Sequence, residues 1–210
     1  MGDPAPPPRL TSLDRHDTWN LCAIGGLNVA HCAWWCSLLP ERLNAAALQA
    51  LFCADVSYIL GDLAWIALDP GCVPLGARPA LLMHHALTVA CAPVAFGRPV
   101  LMAHLLRAWI VELHSWNHIA ARQLSSPRLR KVLQAINKPL FVAARLIGFP
   151  LTYVAYARDR RALDVHQLLL QAPLRLHGPL SVAHGAMYGL MIYWGYRMFW
   201  PRVGRNKKET

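Results

Sequence analysis

His84 and His85 stand side by side inside Ala80 to Phe96, a run with scarcely another polar group. An imidazole can take a proton as a base or accept an acyl group as a nucleophile, and a neighbouring carboxylate can orient it. Two such rings in so apolar a run need partners, because an unsatisfied polar side chain in hydrocarbon costs roughly 2–7 kcal/mol. Histidines at that depth face a protein interior or a wet cavity. Adjacent helical positions differ by about 100°, so one ring is expected to face a cavity while the other packs against it or orients it. The competing use of the pair is as hydrogen-bonding glue between helices. Thr88, one turn beyond His84, can bond on that face, and Pro93 is expected to bend the helix.

Other ionisable groups recur along the apolar stretches. Asp55 and Asp62 are seven residues apart, about two helical turns, and so project from nearly one face. Asp62, the deeper, either serves catalysis or partners an intramembrane cation. From His104 to Arg122, projection at about 100° per residue gathers Arg107, Glu112, His114, Ser115 and His118 with those two on one wet side. Asn117 falls outside that arc and needs another neighbour. His114 and His118 have the spacing of a metal pair, but no HxxHH run accompanies them, so no metal is expected. Arg145 lies shortly before Gly148 and Pro150 and is expected to contact Asp62 or Glu112. In the last apolar stretch Ser181, His184 and Tyr188 share a face, while Gly185 and Gly189 have the small-xxx-small spacing of close helix contact.

The elements that must hold these groups are membrane spans. Of 210 residues 55% are apolar and only 15% charged, well below the roughly 25% charge of a soluble domain. Six stretches reach or approach the roughly 17–25 residues a span requires: Trp19 to Leu39, Ala45 to Leu68, Ala80 to Phe96, Val100 to Ala121, Leu140 to Tyr156 and Pro179 to Phe199. Short connections through Pro40, Pro70-Gly71 and Gly97-Arg98-Pro99 fit antiparallel neighbours. The expected fold is therefore all-α, with residues 1–18 a flexible proline-rich segment, 19–200 the membrane domain and 201–210 a basic tail. Between the fourth and fifth spans, Leu129, Val132, Leu133, Ile136 and Leu140 alternate with Arg128, Arg130, Lys131 and Lys138, as in an interfacial amphipathic helix or a plain basic loop.

Six spans leave both termini on one face. That face carries twelve of the Lys and Arg residues and the opposite face six, a bias that places the termini in the cytosol. The net charge of +10 is accounted for by these loops and the tail, so no nucleic-acid partner is expected. Lys207-Lys208-Glu209-Thr210 resembles a dilysine signal, which would bind coat proteins and return the chain to the endoplasmic reticulum. Cys22, Cys32, Cys36, Cys53 and Cys91 fall within spans without CxxC spacing and are expected to be small core residues. The N-terminus lacks a signal-peptide h-region, and Pro6 rules out myristoylation.

In order, His31, Asp62 after Tyr58-Ile59-Leu60-Gly61, the pair in Met83-His84-His85-Ala86-Leu87-Thr88, Glu112, Asn117, Asn137, Arg145 and Pro150 resemble the TLC-domain family of multi-pass membrane proteins. The resemblance covers Trp19 to about Trp200. It implies a six-helix barrel around an acyl-chain-sized cavity in the endoplasmic-reticulum membrane, with His31, Asp55, Thr88, His114, Asn117, Arg145, His184 and Tyr188 as cavity-lining or structural polar residues. In ceramide synthases it further implies acyl transfer from acyl-CoA to a sphingoid amine, with His84 or His85 performing the chemistry and Asp62 or Glu112 setting tautomer and charge. The synthases carry further His-Asp and Ser-Asp elements after the histidine pair, where this chain has Glu112-Leu113-His114-Ser115, so the non-synthase branch is the nearer likeness. The expected function is binding or handling of acyl lipids in lipid homeostasis, without a cofactor. An N-acyltransferase and an endoplasmic-reticulum-to-Golgi cargo receptor are the alternatives.

Overall fold

The computed structural model describes residues 11–35, 45–163 and 174–199, the side chains of 45 and 174–177 excepted. Among them every regular element is helical: α1 (Ser12–Trp35), α2 (Ala45–Leu68), a 3-10 turn (Pro70–Cys72), α3 (Arg78–Ala95), α4 (Pro99–Ala108), α5 (Glu112–Gln123), α6 (Pro127–Phe141), α7 (Phe149–Arg161) and α8 (Leu174–Phe199). A 3-10 turn, Trp109–Val111, joins α4 to α5, and a π-helical stretch, Val142–Gly148, joins α6 to α7. The proline-rich residues 1–10 and the dilysine pair Lys207 and Lys208 lie outside the described residues.

Local sequence explains the boundaries. Helix α1 begins at Ser12, seven residues before the apolar run at Trp19, because Thr11 and Asp14 cap it reciprocally. The Asp14 amide donates to Thr11 Oγ1 at 3.1 Å and the Thr11 amide to Asp14 Oδ2 at 3.1 Å, the capping-box arrangement. Pro79, Pro99 and Pro127 occupy first-turn positions in α3, α4 and α6, where the missing N–H leaves no helical bond unmade. Between α3 and α4 the chain turns on Gly97, whose φ of 72° is the left-handed conformation that glycine adopts without steric cost.

The helices form a closed ring of neighbours. α1 packs on α2, α2 on α3, α3 on α8, α8 on the π stretch and α7, α6 on α5, and α5 back on α1. Helix α4 departs from this order, for it touches α2 and α7 as well as α3. It carries Leu101, Met102 and Leu106 into a fully buried cluster with Phe52, Ala95, Tyr156 and Leu180. That apolar plug fills the half of the ring farther from the α1 N-terminus.

Among the described residues two helices are long and apolar enough to cross a membrane: Ala46–Leu68, which carries Asp55 and Asp62, and the continuous Pro127–Arg161, which carries Arg145. Ionisable groups are buried within the apolar core, and large apolar side chains lie on the outside. Asp55, Asp62, His84, His85, Glu112 and Arg145 are buried, while Val29, Leu68, Val154 and Val182 are more than 60% exposed.

Several expectations are corrected. Residues 127–141 are neither a separate interfacial helix nor a loop, for α6 runs without a break into the π stretch and α7. Its apolar face is divided: Leu133 and Leu140 are half-buried, whereas Leu129, Val132 and Ile136 point outward. Cys22, Cys32 and Cys53 are exposed rather than core residues, because the ring interior is occupied by larger polar side chains. Gly185 and Gly189 face open space instead of a neighbouring helix of this chain.

Candidate functional site

Opposite the apolar plug, in the half of the ring nearest the α1 N-terminus, lies a cavity of about 510 Å³. Its walls come from the first halves of α1 and α3, the last halves of α2 and α8, from α5, and from α6 with the π stretch. At its mouth Ser12 bonds the Asp69 carboxylate, and the Arg197 guanidinium lies beside Gly76. Of the four residues that sequence analysis assigned to chemistry, all four line this cavity: Asp62, His84, His85 and Glu112.

Asp62 is the hub. One carboxylate oxygen receives His16 Nε2 at 2.6 Å, and the other lies 2.7 Å from His85 Nε2. The His16 contact is well directed, whereas the His85 contact is close but out of line with the ring N–H, leaving His85 Nε2 without a directed bond. His84 turns the other way, its Nε2 standing 3.6 Å from Glu112 Oε1, an ionic contact just beyond hydrogen-bond reach. The two adjacent histidines therefore serve different carboxylates, as the 100° offset between them requires. Both nonetheless border the cavity, where sequence analysis expected one.

A second layer supports the first. Asn20 Nδ2 approaches both ring nitrogens of His16 at 3.2–3.3 Å and, through Oδ1, accepts from the Tyr58 hydroxyl at 2.9 Å. Arg122 pairs with Asp17 at 2.7 Å and so ties the end of α5 to the start of α1. Neither His16 nor Asp17 was anticipated, since both precede the apolar run. The Thr11-x-x-Asp14 cap was the signal that could have placed them in the helix.

Arg145 overturns one expectation. No carboxylate among the described residues lies within 4 Å of its guanidinium, although Glu112 and Asp62 line the same cavity. It donates instead to Ser115 Oγ at 2.6 Å and stands 5.0 Å from the Trp194 ring. The physical reason is that Asp62 is already held by two histidines. The π geometry around Arg145 precedes Pro150, which has no N–H to give the carbonyl of Leu146, four residues before it. Tyr188 fills that vacancy, its hydroxyl donating to Leu146 O at 3.3 Å. Tyr188→Phe is expected to lower stability by about 1 kcal/mol, measured as a shift in thermal unfolding in micelles; an unchanged transition would show that the bond contributes nothing.

The remaining polar residues divide between the cavity and structural roles. His114, with His118 and Ser115, borders the cavity. Asn117 points away, donating to Leu133 O and Asn137 Oδ1 at 3.1 Å each, which supplies the separate neighbour its position required. His31 is fully buried, bonded to Asp55 at 2.9 Å and stacked on Trp109, whose indole donates to Asn28. This pair holds α1 to α2 outside the cavity. Thr88 bonds the carbonyl of His84 in its own helix at 3.0 Å, and it borders a separate void of about 60 Å³ with His104 and His184. His104 and Arg107 thus leave the wet side predicted for them, because the 3-10 turn at Trp109–Val111 changes the helical phase between α4 and α5. Arg107 pairs with Asp159 at 2.6 Å. Among the described residues no group of three potential ligands is placed to hold a metal.

Below the mouth, Cys72 is buried. Desolvation, then the negative charges of Asp69 and Asp62, pushes its thiol up to about 11, so at neutral pH it is protonated and a poor nucleophile. Comparison with known protein families, with curated proteins and with solved structures finds no match for this chain.

Proposed function

We propose that this chain is a membrane protein of the endoplasmic reticulum that binds acyl lipids inside a TLC-type ring of six spanning helices, with cytosolic termini, and thereby affects membrane lipid composition. The observation that carries this reading is the cavity itself. At about 510 Å³ it falls within the roughly 300–1,000 Å³ of pockets that enclose small molecules. Ile24, Leu81, Ile119 and Phe141 give it apolar wall, and its polar groups, among them Asp62, His84, His85, Glu112 and Arg145, give it the means to hold a headgroup. Carboxylates inside and Val29, Leu68 and Val182 outside support immersion in lipid. The order of His31, Asp62, His84, His85, Glu112, Asn117 and Arg145 along the chain supports the TLC-type reading.

The test is photolabelling of the reconstituted protein with a diazirine-bearing fatty acyl probe, followed by mass spectrometry of the adducts. Adducts are expected on cavity residues such as Ile24, Leu81 and Phe141, and to fall severalfold in Leu81→Trp, which fills the cavity. Label confined to Val29, Val154 and Val182 on the outer surface, and unchanged in Leu81→Trp, would overturn the reading.

The array of His16, Asp62 and His85 beside His84 and Glu112 favours a second reading, N-acyl transfer. An amine would attack the thioester carbon of an acyl-CoA, forming the C–N bond as the C–S bond breaks; a cavity imidazole would take the amine proton and return it to the departing thiolate. Acyl-CoA and sphingoid base supplied to membranes lacking ceramide synthase would then give N-acylated product in wild type and none in His84→Ala or His85→Ala. Absence of product with wild-type protein rejects this second reading and leaves lipid binding in place.

A further inference from the structure

Among the described residues every carboxylate of the cavity has a histidine or arginine within 4 Å, whereas the buried cation Arg145 has no carboxylate that near. Asp17 is held by Arg122 and Gln123, Asp62 by His16 and His85, and Glu112 has His84 as its close basic neighbour. Arg145 is only 6% exposed, yet its direct neighbours are a neutral hydroxyl, Ser115 Oγ, and the faces of Trp194 and Phe141 at 5.0 and 6.0 Å; Glu112, which shares Ser115 with it, acts on it from beyond 4 Å, and among the described residues its Nε has no hydrogen-bond partner. A guanidinium keeps its charge at any physiological pH and presents a planar fork of donors. Buried without a carboxylate in direct contact it is a costly group to retain.

We infer that Arg145 is the receptor for the oxyanion headgroup of a single-chain amphiphile, a carboxylate or phosphate whose apolar tail occupies the remainder of the cavity. This rests on the acyl-lipid reading and narrows it to an anionic ligand. Two oxygens on one centre match the guanidinium fork. Ser115 is placed to orient that fork, and Trp194 and Phe141 stack beside it and exclude water. His114 and His118 border the same wall and add donors within the cavity; of the negative groups facing it, Asp62 is held by His16 and His85, while Glu112 stands 3.6 Å from His84 and is the carboxylate a bound anion would have to share the wall with.

Trp194 lies close enough to Arg145 to report occupancy by its fluorescence, with Trp194→Phe as the blank. Three probes are titrated into the full chain in lipid nanodiscs: oleate, oleyl alcohol as tail without charge, and inorganic phosphate as charge without tail. Wild type is expected to bind oleate at least about tenfold more tightly than oleyl alcohol, the scale of one charge-assisted pair. Arg145→Gln should erase that preference and leave oleyl alcohol unaffected, and Arg145→Lys should recover part of it. In the absence of ligand, Arg145→Gln should melt at the same or a higher temperature than wild type, whereas a structural arginine would give a lower one. Oleate should raise the melting temperature of wild type and not of Arg145→Gln.

The outcomes separate the two claims. Oleate and oleyl alcohol binding alike, with Arg145→Gln indistinguishable from wild type, overturns the anion site and keeps the lipid cavity. Arg145-dependent phosphate binding without any response to either oleyl probe supports the anion site and rejects the lipid reading. A lower melting temperature in ligand-free Arg145→Gln, or no response to all three probes, overturns the inference.

Discussion

Asp62→Ala is expected to lower the free energy of unfolding by about 3–5 kcal/mol, the cost of removing one partner from a buried ionic cluster. Asp62 is 2% exposed and joins three helices: α2, which carries it, α1 through His16, and α3 through His85. Its loss strands two imidazoles at once. His16→Ala should cost less than Asp62→Ala, because Asp62 keeps His85. A double-mutant cycle between positions 16 and 62 is expected to give a coupling of about 0.5–3 kcal/mol, read from chemical unfolding in micelles. If Asp62→Ala lost less than about 0.5 kcal/mol, a value ordinary for surface substitutions, the hub assignment would be wrong.

Phe141→Ala should be comparably damaging, about 3–5 kcal/mol for a truncated buried phenyl ring, and it should alter the cavity as well. The ring is 1% exposed, meets His114 edge-on at 5.0 Å, and approaches α8 so closely that a Cβ on Gly195 would lie 3.0 Å from it. Because Phe141 is itself cavity wall, its removal opens space continuous with the existing volume. The enlarged cavity is expected to admit branched acyl probes that wild type excludes, seen as new photo-adducts on Ile24 and Ile119. Phe141→Leu should lose less stability and gain less capacity. Unchanged stability together with unchanged labelling would mean that Phe141 does not bound the site.

Much of the site was legible because polar residues inside apolar runs are conspicuous. Asp62, His84, His85 and Glu112 could be picked out from composition and spacing, and they do converge. What could not be read was who pairs with whom. Arg145 was assigned a carboxylate on charge alone, but the choice depends on which carboxylate a histidine reaches first, a matter of helix rotation and depth. His16 escaped for a different reason: hydrophobicity marks where an apolar surface begins, and a helix can start earlier under a local cap. His104 and Arg107 were misplaced because projection at a constant 100° assumes an unbroken α-helix. The 3-10 turn at Trp109–Val111 breaks that assumption, and nothing in three residues of sequence Trp-Ile-Val announces it.

The unbroken run from Pro127 to Arg161 has a mechanical consequence. Its 35 residues span about 50 Å at the usual helical rise, against a hydrocarbon core of about 30 Å. Set across such a core, the rod would leave roughly 20 Å outside it. Pro139, the π stretch and Pro150 are the places where a helix of this kind bends, so the two ends of the rod are hinged about the segment that carries Arg145.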